Sequence, residues 1–281
     1  MAENKHIFQF TAEQEATALS LLQQTELSSS VLKQAASEGS VWLESRKQKP
    51  RRLRRLKQIL QPGDTVWLYY NESILNKPFA KATLILDRQD YSIWCKPRGM
   101  FSQPSKWSDA NSIGRFASQQ LDRACYLVHR LDRMTTGLMI VSHKRSLVHE
   151  FTQRFSEQAI KKTYCAIIEG TLEASPVTIA TTLDDKPAET TVWSESCATD
   201  NRYTMARVNI ASGRKHQIRR HLASIGHPVL GDRLYGEPQS QHELQLYAVK
   251  LEFICPVQQE SVMVELPEDM YLRELQSHLS C

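Results

Sequence analysis

Residues 129–137 read HRLDRMTTG, and they place one carboxylate, Asp132, between Arg130 and Arg133, with His129 before it and Gly137 after it. Neighbouring guanidinium groups favour the charged form of a carboxylate. An ionised Asp can act as a nucleophile or a general base. A glycine leading into the apolar run LMIVS at 138–142 suits a turn that presents a side chain outward. Taken alone, the segment fits a surface Asp–Arg network better. Two other stretches change that balance. GRKHQIRRHLASIGHPVLGDRLYG at 213–236 gathers Arg214, Arg219 and Arg220 with His216, His221 and His227 around a short helical pattern. His216 and His221 are five apart, unlike the i, i+4 pair of a helical zinc site, and the helical stretch has no acidic partner, so no metal is expected. Arg219 and Arg220 suit carboxylate or phosphate, whose geometry matches the guanidinium fork. KKTYCAIIEG at 161–170 sets Tyr164 beside Lys161 and Lys162, either a base-stacking platform with phosphate contacts or a half-buried strand tyrosine.

The elements that must carry these side chains can be read from periodicity. Thr11 and Gln14 resemble a capping box, which predicts a helix over 12–24, and Ser29 is the expected cap of a second helix ending at Gly39. VWL at 41–43 and TVWLYY at 65–70 read as strands, the latter launched by the Pro62-Gly63-Asp64 turn. Residues 71–83 read as a linker. Beyond it, TLIL (83–86) and YSIWC (91–95) form a hairpin pattern, a helix is expected over 111–122, and LMIVS is a strand. Another helix is expected over 147–155. KTYCAIIEG, ETTVWSE and YTMARVNI read as strands. HQIRRHLASIG spaces Ile218, Leu222 and Ile225 as one helical face ended by Gly226, and LQLYAVKLEFICP and SVMVELP close the chain as strands. The expected fold class is α+β: residues 1–75 a small α/β module of helix, helix, strand, basic element and strand, 76–83 a linker, and 84–281 a larger domain on a mostly antiparallel mixed sheet.

Composition excludes several classes. With 41% hydrophobic and 23% charged residues the chain is ordinary globular material, and no apolar run approaches the roughly 20 residues of a membrane span. The N-terminus lacks the apolar core of a signal peptide, so a cytoplasmic location is expected, with no membrane partner. The six cysteines stand singly, which argues against zinc knuckles and disulfides. Net charge is only +4, but RKQKPRRLRRLK at 46–57 holds eight basic residues in twelve and no acid. Such a run is an electrostatic footprint for nucleic-acid phosphates, and it nominates Arg51, Arg52, Arg54, Arg55 and Lys57 as RNA contacts. No exposed apolar stripe is evident, so a monomer is expected.

Together, HRLDRMTTGL, KTYCAIIEG and GRKHQIRRHLASIGHPVLGDRLYG, in this order, resemble the motifs of the RluA-type pseudouridine synthases. DYSIWCKPRGM at 90–100 is similar to that family's first motif. The resemblance covers about residues 83–281, and a fainter one relates 1–75 to the small RNA-binding domain of a ribosomal small-subunit protein. Cys95, Arg98, Met134, Lys215 and Arg220 depart from the usual pattern.

The resemblance implies isomerisation of uridine in structured RNA, rRNA or tRNA, to pseudouridine, without cofactor or metal. It implies that Asp132 is the essential carboxylate, attacking the uracil or the ribose or abstracting a ribose proton. Arg219 becomes the ion-pair partner of Asp132, Tyr164 stacks on the uracil and serves in proton transfer, and Arg130 enters the RNA stack as the uridine flips out. Lys161, Lys162, Arg214 and His216 join Arg130 and the basic run as RNA contacts. The competing readings are a catalytically silent RNA-binding protein or RNA-folding chaperone, and a nucleotide hydrolase. The second lacks a nucleophile motif such as GxSxG.

Overall fold

A computed structural model describes residues 5–46, 48–75, 81–172 and 176–271. Lys47 of the basic run, residues 76–80 of the expected linker and the last ten residues lie outside them. The chain divides into two compact units, Met1–Phe79 with Gln103–Phe116, and Ala80–Ser102 with Ala117–Cys281. The sequence-based boundary put 103–116 wholly in the second.

The first unit is built on a four-stranded antiparallel sheet. Lys5–Thr11 pairs along its length with Thr65–Asn71, which pairs on its other side with Val41–Ser45, itself flanked by Gln48–Arg52. The first of these strands ends at Thr11, just before the predicted 12–24 helix, and within that helix Ala16–Thr17 is instead a short strand paired with Ile59–Leu60. Thr11 pairs with Thr65 through backbone and hydroxyl, and the helix begins only at Ala18, where the Thr17 hydroxyl accepts the Ser20 N–H. A strand partner more than 50 residues away thus overrode the local capping pattern. The second helix, Ser29–Ser37, is capped by Ser28 rather than Ser29. Leu32, Ala35, Leu43, Leu53, Leu56 and Leu68 fill the core. The expected linker begins as a short helix, Glu72–Leu75.

The second unit is a ten-stranded mixed sheet, antiparallel except where Leu246–Ile254 meets Thr136–Ser142 in parallel. From one edge the order is Val177–Leu183, Lys186–Cys197, Tyr203–Ile210, Lys161–Glu169, Leu246–Ile254, Thr136–Ser142, Tyr91–Lys96 and Thr83–Arg88. The strand at 177–183 was not anticipated; its burial alternates only weakly, and it pairs with the next strand across a tight hairpin. Helix Arg145–Ser156 lays Leu147 and Phe151 on the sheet, with Phe151 edge-on to Tyr91 at 5.4 Å between ring centroids.

Two features of this sheet place the chemistry. Ala248 pairs with Gly137 on one side and with Tyr164 on the other. The strands that end at the HRLD segment and carry the tyrosine therefore flank one shared strand. Gly137, at φ +125°, is required there, because a Cβ would lie 2.3 Å from the Ala248 carbonyl oxygen. The register also slips between Thr163 and Tyr164. Such a bulge re-aims a strand side chain, and here it falls at the motif tyrosine.

Candidate active site

A cleft of about 660 Å³, open to solvent, is lined by Arg130, Asp132, Tyr164, Arg214, His216 and Arg219, with Leu131, Thr135, Ile210, Ile218 and Leu246 among the remaining wall residues. Asp132, Tyr164 and Arg219, between 32 and 87 positions apart in sequence, thus line one cleft. Asp132 sits in a turn closed by the Thr135 N–H on the Asp132 carbonyl (3.1 Å), and its carboxylate is partly exposed to the cleft, at 19%. Tyr164 is buried. Burial first, and then the charge of Asp132, raise its phenol above the ordinary tyrosine value, so it is protonated at neutral pH.

The principal correction concerns Arg219. Its direct partner is not Asp132 but Asp232, which receives Nε and Nη2 in a two-pronged fork, 2.6 Å each. The Asp232 side chain is fully buried, and it also accepts the backbone N–H groups of Leu234 (3.0 Å) and Tyr235 (3.1 Å). Burial opposes the charge on Asp232, but the Arg219 fork and these two amides outweigh it and hold the carboxyl below its usual value. Burial likewise opposes the charge on Arg219. Asp232 first and Asp132 second oppose that penalty and outweigh it, and the guanidinium is held above its usual value. Asp132 is therefore within electrostatic reach of Arg219 without being its hydrogen-bond partner. The physical reason is competition: the fully buried Asp232 carboxylate needs the fork more than Asp132 does, whose carboxylate is partly open to the cleft.

The two halves of the third motif are thus mutually bound. Arg219 grips Asp232, the Arg219 guanidinium lies 5.1 Å from the Tyr235 ring centroid, and His216 Nδ1 meets the Tyr235 hydroxyl at 2.9 Å. Nε2 of His216 stands 3.8 Å from Asp132 Oδ1. Burial lowers His216 below the ordinary histidine value; Asp132 opposes the shift, and Arg219 and Lys215 add to it. Gln217 orients the start of helix Gln217–Ser224 by accepting from Arg214 N (3.0 Å) and donating to Glu189 O (2.8 Å). Asp232 and Tyr235 had no role in the sequence reading. Their signal was the GD-x-x-Y end of the motif, whose function only the fold makes visible. His221 faces Thr190 in the core and His227 faces the Glu169 carbonyl, so the three histidines serve separate tasks.

His129, at the head of the HRLD segment, is neutral. Its Nε2 accepts the Ile140 N–H at 2.9 Å, its ring stacks on Phe155, and burial, with Lys162 as a lesser cause, pushes it down to about 3. Arg130 is exposed and lines the cleft. Arg133 turns away to donate to Gly99 O and covers Phe101 at 4.8 Å. Lys161 and Lys162 are not among the cleft residues; Lys162 lies over Phe155.

Lys96, in CKPRG, is fully buried and donates to the carbonyls of Pro97 (3.0 Å), Met100 (3.0 Å) and Arg133 (3.2 Å). Burial lowers its pKa to about 7, against opposing contributions from Cys95 and Asp132. The unfolded chain, titrating near 10.5, binds this proton more tightly than the fold does. Stability should therefore rise as pH increases from about 7 towards 10.5, the burial penalty being full below that window and gone above it. We expect urea unfolding to show a gain on the order of 1 kcal/mol per pH unit in this range, absent from Lys96→Met. Parallel pH curves for the two proteins would refute it.

In the first unit the basic run divides. Leu53 and Leu56 enter the core, and Arg51, Arg54, Arg55 and Lys57 face solvent. Arg52 is not a free surface cation. It donates to the Gly39 and Ser105 carbonyls, pairs with Asp109 at 3.2 Å and stacks on Trp42. Arg54 and Arg115 also bind Asp109. Three guanidinium groups on one carboxylate hold residues 103–116 within this unit.

The RNA pseudouridylate synthase profile matches residues 90–224, which include Asp132, Tyr164 and Arg219. Residues 90–224 form an RNA pseudouridine synthase domain. The synthase is 27% identical over 295 residues to an RNA pseudouridine synthase of Aquifex aeolicus, covering 90% of both chains. It is 28% identical over 205 residues to tRNA pseudouridine synthase C of Vibrio cholerae, covering 60% of this chain and 84% of the relative. Human RNA pseudouridylate synthase domain containing 1 shares the fold, with a TM-score of 0.58 at 20% identity over 68% of this chain and 86% of that one. The synthase isomerises uridine in RNA to pseudouridine. Among the described residues no helix is long and apolar enough to cross a membrane.

Proposed function

We propose that Asp132 is the carboxylate that drives the isomerisation and that the cleft receives a uridine flipped out of a structured tRNA or rRNA. The observation that carries this reading is the convergence of Asp132, Tyr164 and the Arg219–Asp232 pair on one open cleft. In the reaction the C1′–N1 bond of the nucleoside breaks and a C1′–C5 bond forms. The C5 hydrogen leaves as a proton and N1 gains one, so no electrons are exchanged and no co-reactant is consumed. The 2.6 Å fork holds Arg219 rigidly in the cleft wall, where its charge is fixed in place before the nucleoside arrives. Tyr164, protonated and buried beside Asp132, supplies a stacking face and a proton donor. Arg130, exposed at the rim, offers a planar cation to the gap left by the flipped base, offsetting part of the few kcal/mol of unstacking. Arg214 and His216 contact the neighbouring backbone. Residues 1–75 add phosphate contacts through Arg51, Arg55 and Lys57, which makes binding salt-sensitive. The working form is a monomer in the cytoplasm.

The direct test is RNA from a strain lacking the protein, labelled with tritium at uridine C5. Isomerisation must release that label, so the purified protein should liberate it from tRNA or rRNA. No release from either fraction would overturn the reading, and pseudouridine mapping in the deletion strain identifies the target.

A further inference from the structure

The loop that follows strand Tyr91–Lys96 holds the main chain on both sides of Asp132. Ser102 Oγ donates to the Leu131 carbonyl at 2.6 Å and accepts the Leu131 N–H at 3.0 Å. On the other side, Gly99 N donates to the Arg133 carbonyl at 2.9 Å, and Arg133 Nε returns a bond to the Gly99 carbonyl at 3.3 Å. The residues on both sides of Asp132, Leu131 and Arg133, are thus tied through their main chain to one short loop, 97–102, while Asp132 lines the cleft. Ser102 is 5% exposed and Leu131 6%, so water is a poor substitute for either bond. Only a hydroxyl can donate to and accept from the same residue at this site; an alanine would leave both Leu131 backbone groups without a partner.

We propose that Ser102 is a positioning residue for the isomerisation, fixing the backbone at Leu131 so that the Asp132 carboxylate meets the reacting nucleoside in register. The inference rests on Asp132 being the reacting carboxylate. Its energetic logic is geometric. Misplacement of a catalytic group by about 1 Å costs on the order of 10²-fold in rate, while substrate binding, spread over many phosphate contacts, is left largely intact.

A matched control exists in the same unit. Ser142 is fully buried, donates to the Lys144 carbonyl (2.8 Å) and accepts the Lys144 N–H (3.2 Å). It makes the same two-way backbone grip, but on a turn that does not flank Asp132. Ser102→Ala and Ser142→Ala should lose comparable thermal stability. Ser102→Ala alone should lower the single-turnover rate of tritium release, by roughly 10- to 100-fold, with RNA affinity within about two-fold of the parent. Ser102→Thr, which keeps the hydroxyl, should recover most of the rate. If Ser102→Ala is too unstable to isolate, Ser102→Cys, close in size but a weaker hydrogen-bonding group, should give an intermediate rate.

Equal rates for the two alanine variants would overturn the proposal. So would a loss in RNA affinity that accounts for the whole effect, or a Ser102→Thr protein that is folded but as slow as Ser102→Ala. Asp132→Asn, measured alongside, separates the two levels. If it is inactive while Ser102→Ala is normal, the positioning inference fails alone; if it is active, the assignment of Asp132 fails.

Discussion

Asp132→Asn is expected to bind RNA with near-parental affinity and to lose turnover by at least about 10³-fold. The substitution is nearly isosteric, and the cleft does not depend on the side chain for support. The Asp132 loop is held by backbone bonds from Thr135, Ser102 and Gly99. His216 Nε2 stands 3.8 Å from the carboxylate, too long for a strong hydrogen bond. The folded structure therefore loses little, while the reaction loses its only carboxylate among the cleft-lining residues. Filter binding and C5-tritium release on the same preparation check both halves. A variant that releases label at a tenth of the parental rate or better would remove Asp132 from the chemistry.

Arg219→Ala carries the second large effect, and it acts on stability as well as rate. Removing the fork leaves Asp232 buried, with only two backbone amides and no cation. Breaking one partner out of a buried ion pair costs about 3–5 kcal/mol, which for a chain of this size is roughly 2–4 °C in melting temperature per kcal/mol. Activity should fall with it, because Arg219 also contributes to the field at Asp132. The identity of the partner can be tested separately. If Arg219 were bound chiefly to Asp132, Asp232→Asn would be thermally silent and Asp132→Asn destabilising. The fork predicts the reverse order. A paired apolar replacement, Arg219→Met with Asp232→Leu, should recover part of the lost stability, since neither charge is then stranded, without recovering turnover. Thermal melts of the four proteins decide it.

The sequence alone determined a good deal. Alternating β-branched and aromatic residues marked most strands of the larger unit, and the i, i+4, i+7 spacing of Ile218, Leu222 and Ile225 marked the helix that carries Arg219. These patterns survive because each is enforced locally, by a face that must be buried. Motif order also nominated Asp132, Tyr164 and Arg219, and all three line one cleft.

Only the tertiary structure decided the rest. The helix expected over 12–24 starts only at Ala18, because Thr11 is held by Thr65 and Ala16–Thr17 pairs with Ile59–Leu60. Arg219 chose Asp232 over Asp132, because desolvation makes a buried carboxylate the more demanding partner. Arg52, indistinguishable from its neighbours in a run of cations, is committed to Asp109 and two carbonyls, whereas Arg55 and Lys57 remain in solvent. His129 is a neutral acceptor for Ile140 rather than a cation. In each case the deciding quantity is burial together with a partner distant in the chain, and neither is written in the local order of residues. The same holds for the grip of Ser102 on Leu131, 29 positions away. One serine in a loop became part of the active-site framework because the fold brought it there.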